Sequence, residues 1–133
     1  MSDEKILIEY EQYRIQAEST KKNLELIEQN LAEFKIAKES LEEIRKKDVR
    51  EILVPLGARS FIRAELSSPD NIIVNVGSGV AVEKSISKAI EDIEHDIKEL
   101  EKARQDQLKL LNFLLSKLEE LAPKVQEITS KNR

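Results

Sequence analysis

At 133 residues the chain is one domain's length, and 36% of it is charged against only 4% aromatic, with no tryptophan. The net charge of −4 comes without any basic block, which argues against a nucleic-acid partner, and the lack of cysteine excludes disulfide scaffolds and thiolate metal sites. No secretory segment follows Met1 and no apolar stretch approaches membrane-spanning length, so the expectation is a soluble chain of the cytoplasm with no membrane partner.

From Asp3 to Lys47 there is neither proline nor glycine, and helix formers dominate. Ile6, Tyr10, Tyr13, Ala17, Thr20, Leu24, Ile27, Leu31 and Phe34 recur at alternating spacings of 4 and 3, a heptad seam. The seam meets Lys38 and resumes at Ala37, Leu41 and Ile44 after a small phase shift. Glu18/Lys22, Glu42/Lys46 and Glu43/Lys47 are oriented to pair along the helix. A helix over 3–47 is about 65 Å long, which suits a coiled-coil arm better than a globule.

The centre, from 50 to 83, has a different period. Apolar residues alternate through Ile52, Val54 and Leu56, then Ile62, Ala64 and Leu66, then Ile72, Val74 and Val76, then Val80 and Val82. Period-2 patterning bounded by turn residues predicts strands. Leu56-Gly57-Ala58-Arg59 and Val76-Gly77-Ser78-Gly79 suit hairpin connections, and Ser67-Ser68-Pro69-Asp70-Asn71 joins the two pairs. Two successive β-hairpins with one apolar face need cover from outside, so this segment is expected to mediate assembly.

A second seam begins at Ile86 and runs through Ile90, Ile93, Ile97 and Leu100. It falters at Arg104 and Gln107, then resumes at Leu111, Leu114, Leu118, Leu121, Val125 and Ile128. Pro123 is expected to kink or end this helix, assigned to 84–129. Leu108, Leu110 and Leu115 lie beside the seam and either widen the cover on the partner helix or form an apolar surface outside it. Folded back antiparallel, the arms pair Ile44 with Ile90, Phe34 with Leu100, Thr20 with Leu114 and Ile6 with Ile128. Arg104 and Gln107 then form a weak layer against Ile27 and Leu31, their stems along the apolar partner and their heads in water. The fold class is therefore α+β: a long antiparallel coiled-coil hairpin of helices joined by two β-hairpins, as one domain over 1–133.

Catalytic chemistry has little to stand on. Gly77-Ser78-Gly79 lacks the spacing of a phosphate loop and sits between strand patterns. His95 is flanked by Glu91, Asp92, Asp96 and Glu99, which a solvated helix face explains without a metal. No nucleophile–base pair is formed by these residue types, so no catalytic residue, metal or cofactor is assigned and no enzyme is expected. Tyr10 and Tyr13 serve either as seam residues or as apolar anchors near a free tip.

The central strings resemble a known family. Leu53-Val54-Pro55-Leu56-Gly57-Ala58, Ser60-Phe61-Ile62-Arg63-Ala64-Glu65-Leu66 and Val74-Asn75-Val76-Gly77-Ser78-Gly79-Val80-Ala81-Val82-Glu83-Lys84 are similar, in this order, to the alpha class of the prefoldin family. Two hairpins resemble the alpha class, the beta class usually having one, and the short termini resemble the archaeal form. The resemblance implies a hexamer of two alpha and four beta-class subunits, with hairpins joined in a double β-barrel and six coiled coils around a cavity. It implies ATP-independent capture of non-native polypeptides and their delivery to a cytosolic group II chaperonin. Carried onto this chain, 51–83 forms the assembly body. The client-facing tips are Ile6, Leu7, Ile8, Tyr10 and Tyr13 with Leu118, Leu121, Val125 and Ile128. The alternative is a structural coiled-coil adaptor tethering one folded partner.

Overall fold

The computed structural model describes residues 2–131; residues 1, 132 and 133 of the expected domain lie outside the described residues. The elements run α1 (Asp3–Lys47), β1 (Glu51–Gly57), β2 (Ser60–Glu65), β3 (Asn71–Gly77), β4 (Val80–Ser85) and α2 (Ile86–Lys131). Two compact units contain them, one formed by residues 2–31 with 99–131 and the other by residues 32–98.

Local chemistry sets where each helix starts and stops. Ser2 caps α1, its Oγ accepting from the Lys5 N–H at 3.3 Å, and acidic Asp3 and Glu4 stand in the first turn. Arg45, Lys46 and Lys47 complement the other end, and Asp48, at φ 48°, turns the chain out of the helix. Ser85 caps α2 by accepting from the Lys88 N–H at 3.1 Å. It also ends β4, so the strand reaches two residues past the expected 83 and α2 begins at Ile86. Pro123 does not end α2, which continues to Lys131.

In the first unit the two helices run antiparallel. Asn23 meets Gln107 (Nδ2 to Oε1, 3.5 Å), and Arg104 donates to Glu28. Ala17, Thr20, Leu31, Leu114, Leu121 and Ile128 are buried between the helices, and Leu114 is only 1% exposed. Thr20 is the polar member, and its hydroxyl donates to the Gln16 carbonyl at 2.8 Å, so burial leaves no orphan group. At the weak layer the heads of both polar residues meet polar groups of α1. Gln107 is half-buried, and Arg104 is exposed with its guanidinium on Glu28. Replacing Leu114 with alanine is expected to cost about 2–5 kcal/mol. Leu115, one residue on and 41% exposed, is expected to tolerate the same change nearly unaffected; thermal unfolding followed by helicity measures both.

In the second unit, Ile86, Ala89, Ile90 and Ile97 are buried on α2, and Lys38 of α1 reaches Glu94 at 3.6 Å. The strands form two separate two-stranded antiparallel sheets, β1-β2 and β3-β4. Each hairpin bulges before its turn, between Pro55 and Gly57 and between Asn75 and Gly77. Gly57 and Gly77 have φ of 106° and 107°, values a side chain would strain. The two residues of each turn are also left-handed, Ala58 (48°) and Arg59 (62°), then Ser78 (54°) and Gly79 (75°), which matches the twist of the strands they join. The second hairpin repeats the first position for position, down to the same burial pattern.

An ion cluster ties β4 to α2. Asp92 accepts from Lys84 at 2.7 Å and lies 3.2 Å from the Lys88 Nζ. Hydrogen bonds from Lys84 and then Lys88 hold the Asp92 carboxyl below its ordinary value of 3.8. A carboxylate whose folded value is depressed stabilises the fold above its ordinary value and loses that contribution as pH falls through the folded one. Acid titration is therefore expected to loosen the β4–α2 junction only below the ordinary carboxylate range. Asp92→Asn is expected to remove that step from an NMR-monitored titration, and an unchanged profile would show that the cluster is not coupled to folding.

Candidate functional site

Two apolar surfaces stand out. The first lies on the paired helices of the first unit. The seam leaves Leu7, Ile8, Ile15 and Leu26 of α1 exposed, together with Leu108, Leu110, Phe113 and Leu115 of α2. At helical spacing Ile8, Ile15 and Leu26 fall on one stripe of α1, on the far side from Ala17 and Leu24. Charge is interleaved with them. Arg14 joins Glu11 and Glu18, the latter at 2.8 Å, and its hydrogen bond holds the Glu11 carboxyl below the ordinary range. Glu18 is thus taken by Arg14, whose forked guanidinium spans two carboxylates, rather than by Lys22. On α2 the Lys117 ammonium lies 5.8 Å from the centre of the Phe113 ring.

The second surface is on the hairpins. The pairs Ile52↔Ala64 and Val54↔Ile62 share one face of the first hairpin, and Ile72↔Lys84 and Val74↔Val82 share one face of the second. Ile52, Val54, Ala64, Leu66, Ile72 and Val74 are half-buried on the chain itself. Leu56, Ile62, Val76, Val80 and Val82 are exposed, Leu56 at 65%. The opposite faces are apolar as well, for Leu53, Phe61 and Ile73 are 62%, 60% and 69% exposed. The expectation of a single apolar face is corrected here: both faces carry exposed apolar side chains. The runs Ile52-Leu53-Val54 and Ile72-Ile73-Val74 carried that signal, since unbroken apolar runs mark strands covered on both sides.

Among the described residues no comparable surface gathers around polar chemistry. His95 stands on an exposed helix face with Nδ1 3.8 Å from Asp96 Oδ1. A shallow cavity of about 330 Å³ is lined by the charged surface residues Glu39, Glu42, Glu43, Lys46 and Lys47, of which Glu43 and Lys47 pair at 2.7 Å. Gly77-Ser78-Gly79 is the turn of the second hairpin.

A family model described as prefoldin subunit matches residues 13–131 of this chain. The chain belongs to the prefoldin family. It is 39% identical over 130 residues to Prefoldin subunit alpha of Pyrococcus horikoshii, covering 96% of this chain and 88% of that one. To Prefoldin subunit alpha 1 of Thermococcus kodakarensis it is 40% identical over 97 residues, 72% of this chain and 66% of the relative. The solved structure of filamentous PFD from Methanocaldococcus jannaschii shares the fold, with a TM-score of 0.68 at 23% identity over 85% of this chain and 94% of that one. A coiled-coil helical pair with two β-hairpins is thus a prefoldin fold, and the chain is a prefoldin-type chaperone subunit. No helix among the described residues is long and apolar enough to cross a membrane.

Within this prefoldin fold the expected tip residues divide into three groups. Leu7 and Ile8 are exposed, while Ile6, Tyr10, Tyr13, Leu118 and Val125 are half-buried. Leu121 and Ile128, at 7% and 5% exposure, are seam residues that hold the helix pair together. Ile15, Leu26 and Phe113 are exposed apolar groups that heptad reasoning passed over. Their signal was an apolar residue standing off the seam.

Proposed function

We propose that this chain is an alpha-class prefoldin subunit that holds non-native polypeptides without ATP and passes them to a cytosolic group II chaperonin. It acts in a hexamer of two alpha and four beta-class subunits whose hairpins close a double β-barrel. Its domain is the whole of 1–133, its place the cytoplasm, and it catalyses no reaction. The assembly residues are Ile52, Val54, Leu56, Ile62, Ala64, Leu66, Ile72, Val74, Val76, Val80 and Val82, with Leu53, Phe61 and Ile73 added from the opposite faces.

One observation supports client holding above the rest: large apolar side chains stay exposed on a helix pair that has already buried its seam. A binder of many unrelated chains needs an adaptable apolar surface rather than a shaped pocket with fixed polar donors. The charges between these side chains keep such a surface soluble. The assembled complex is expected to suppress light scattering from an unfolding test protein at near-stoichiometric amounts with no nucleotide present. A complex that leaves scattering unchanged would instead fit an adaptor for one folded partner.

A further inference from the structure

The seam of the first unit has a gap in its middle. No residue of α1 between Thr20 and Leu31 is buried, and none of α2 from 99 to 113 is. Leu24 and Ile27 keep the seam's spacing there but are only half-buried. The α2 seam positions at that level are Arg104 and Gln107, where leucine would continue the run of Leu111, Leu114, Leu118 and Leu121. Two contacts bracket the gap, Asn23 with Gln107 and Glu28 with Arg104, and both end on exposed residues of α1.

Neither contact holds the helices firmly. The amide pair meets at 3.5 Å, beyond the usual hydrogen-bond range. The Arg104 and Glu28 side chains are 48% and 53% exposed, so water and salt weaken their attraction. Local stability follows buried contact, and here burial lies on either side of the gap, at Ala17, Thr20 and Leu114 and again at Leu31. A short helical segment parted from its partner is marginal in water, so its backbone hydrogen bonds open with the seam.

We propose that the helix pair opens at this gap, in its middle rather than from its free ends, and that the opened seam lodges apolar side chains of a non-native polypeptide. Opening bares the inner faces of Leu24, Ile27 and Leu111. In sequence these stand beside Leu26 and Leu110, which are already 59% and 42% exposed. Arg104 and Gln107 make the closed layer easy to part, a stability cost of the kind that function retains. Client lodging rests on the holdase reading; the opening does not.

Hydrogen exchange on the full chain, assembled with its partners, tests the opening. Amides of 21–30 and 101–110 are expected to exchange at least about tenfold faster than those of 13–20 and 114–121. Fraying from the free ends alone would instead make protection rise steadily inward. Arg104→Leu with Gln107→Leu fills the seam and is expected to erase this dip in protection and raise the melting temperature. Glu28→Gln removes the ion pair without filling the seam and is expected to deepen the dip. Protection without a dip, or a dip unchanged by the two leucines, overturns the opening. Client capture is read on the same preparations as suppression of light scattering from an unfolding test protein. The leucine variant, though more stable, is expected to capture about threefold less, and Glu28→Gln no less than the parent. Equal capture by the leucine variant overturns the lodging site and leaves the opening standing. A parent complex that suppresses no scattering overturns the holdase reading itself, whatever the exchange shows.

Discussion

Placing aspartate at both Ile62 and Val74 is expected to take the complex apart while leaving the helices folded. Val54 is the cross-strand partner of Ile62, and Val82 that of Val74, so each new carboxylate enters an apolar pair. On the isolated chain Ile62 is 54% exposed, and a charge there meets water at little cost. In the proposed assembly the same position is covered. Each substitution then forfeits roughly 1.5–3 kcal/mol of apolar burial and adds the desolvation of an unpaired charge. Two such sites per chain exceed what a multi-subunit interface tolerates. Light scattering and native mass measurement report the size of the complex, and circular dichroism reports the helices. A full-sized complex from the double variant would remove these faces from the interface.

The seams were legible because period carries burial directly: Ala17, Thr20 and Leu31 lie where the spacing of 4 and 3 puts them, and all three are buried. The hairpins were legible from alternation and from glycine, since Gly57 and Gly77 occupy the left-handed positions that the turns require. What period does not carry is the unshared part of a surface. Ile15, Leu26 and Phe113 belong to neither seam, and only the packed helices show that nothing on the chain covers them. Strand alternation likewise picks out one face and hides the other, so Leu53, Phe61 and Ile73 were missed, although Leu53 and Ile73 stand inside unbroken apolar runs. Pro123 is a third case. The missing N–H predicts a kink or an end; α2 does not end there, and Val125 accepts from the Thr129 hydroxyl at 2.9 Å beyond it. Partner choice among charges is also local detail, as Arg14 shows by taking Glu18.

The reading as a holdase depends most on the ends of the helix pair. Residues 1–13 carry Leu7, Ile8, Tyr10 and Tyr13, and residues 119–133 carry Leu121, Val125 and Ile128. The antiparallel register brings these segments together, so deleting both trims the two helices to matching length and spares the hairpins. Several weak apolar contacts reinforce one another through avidity, so shortening every arm of the complex is expected to have the largest effect. Suppression of client aggregation by the shortened complex, measured beside its size and helicity on the same preparation, is the most direct test. An intact complex is expected, with its capture of non-native protein lowered by about tenfold or more. Undiminished suppression by a correctly assembled, shortened complex would contradict it and move client binding to Ile15, Leu26 and the Leu108–Leu115 surface.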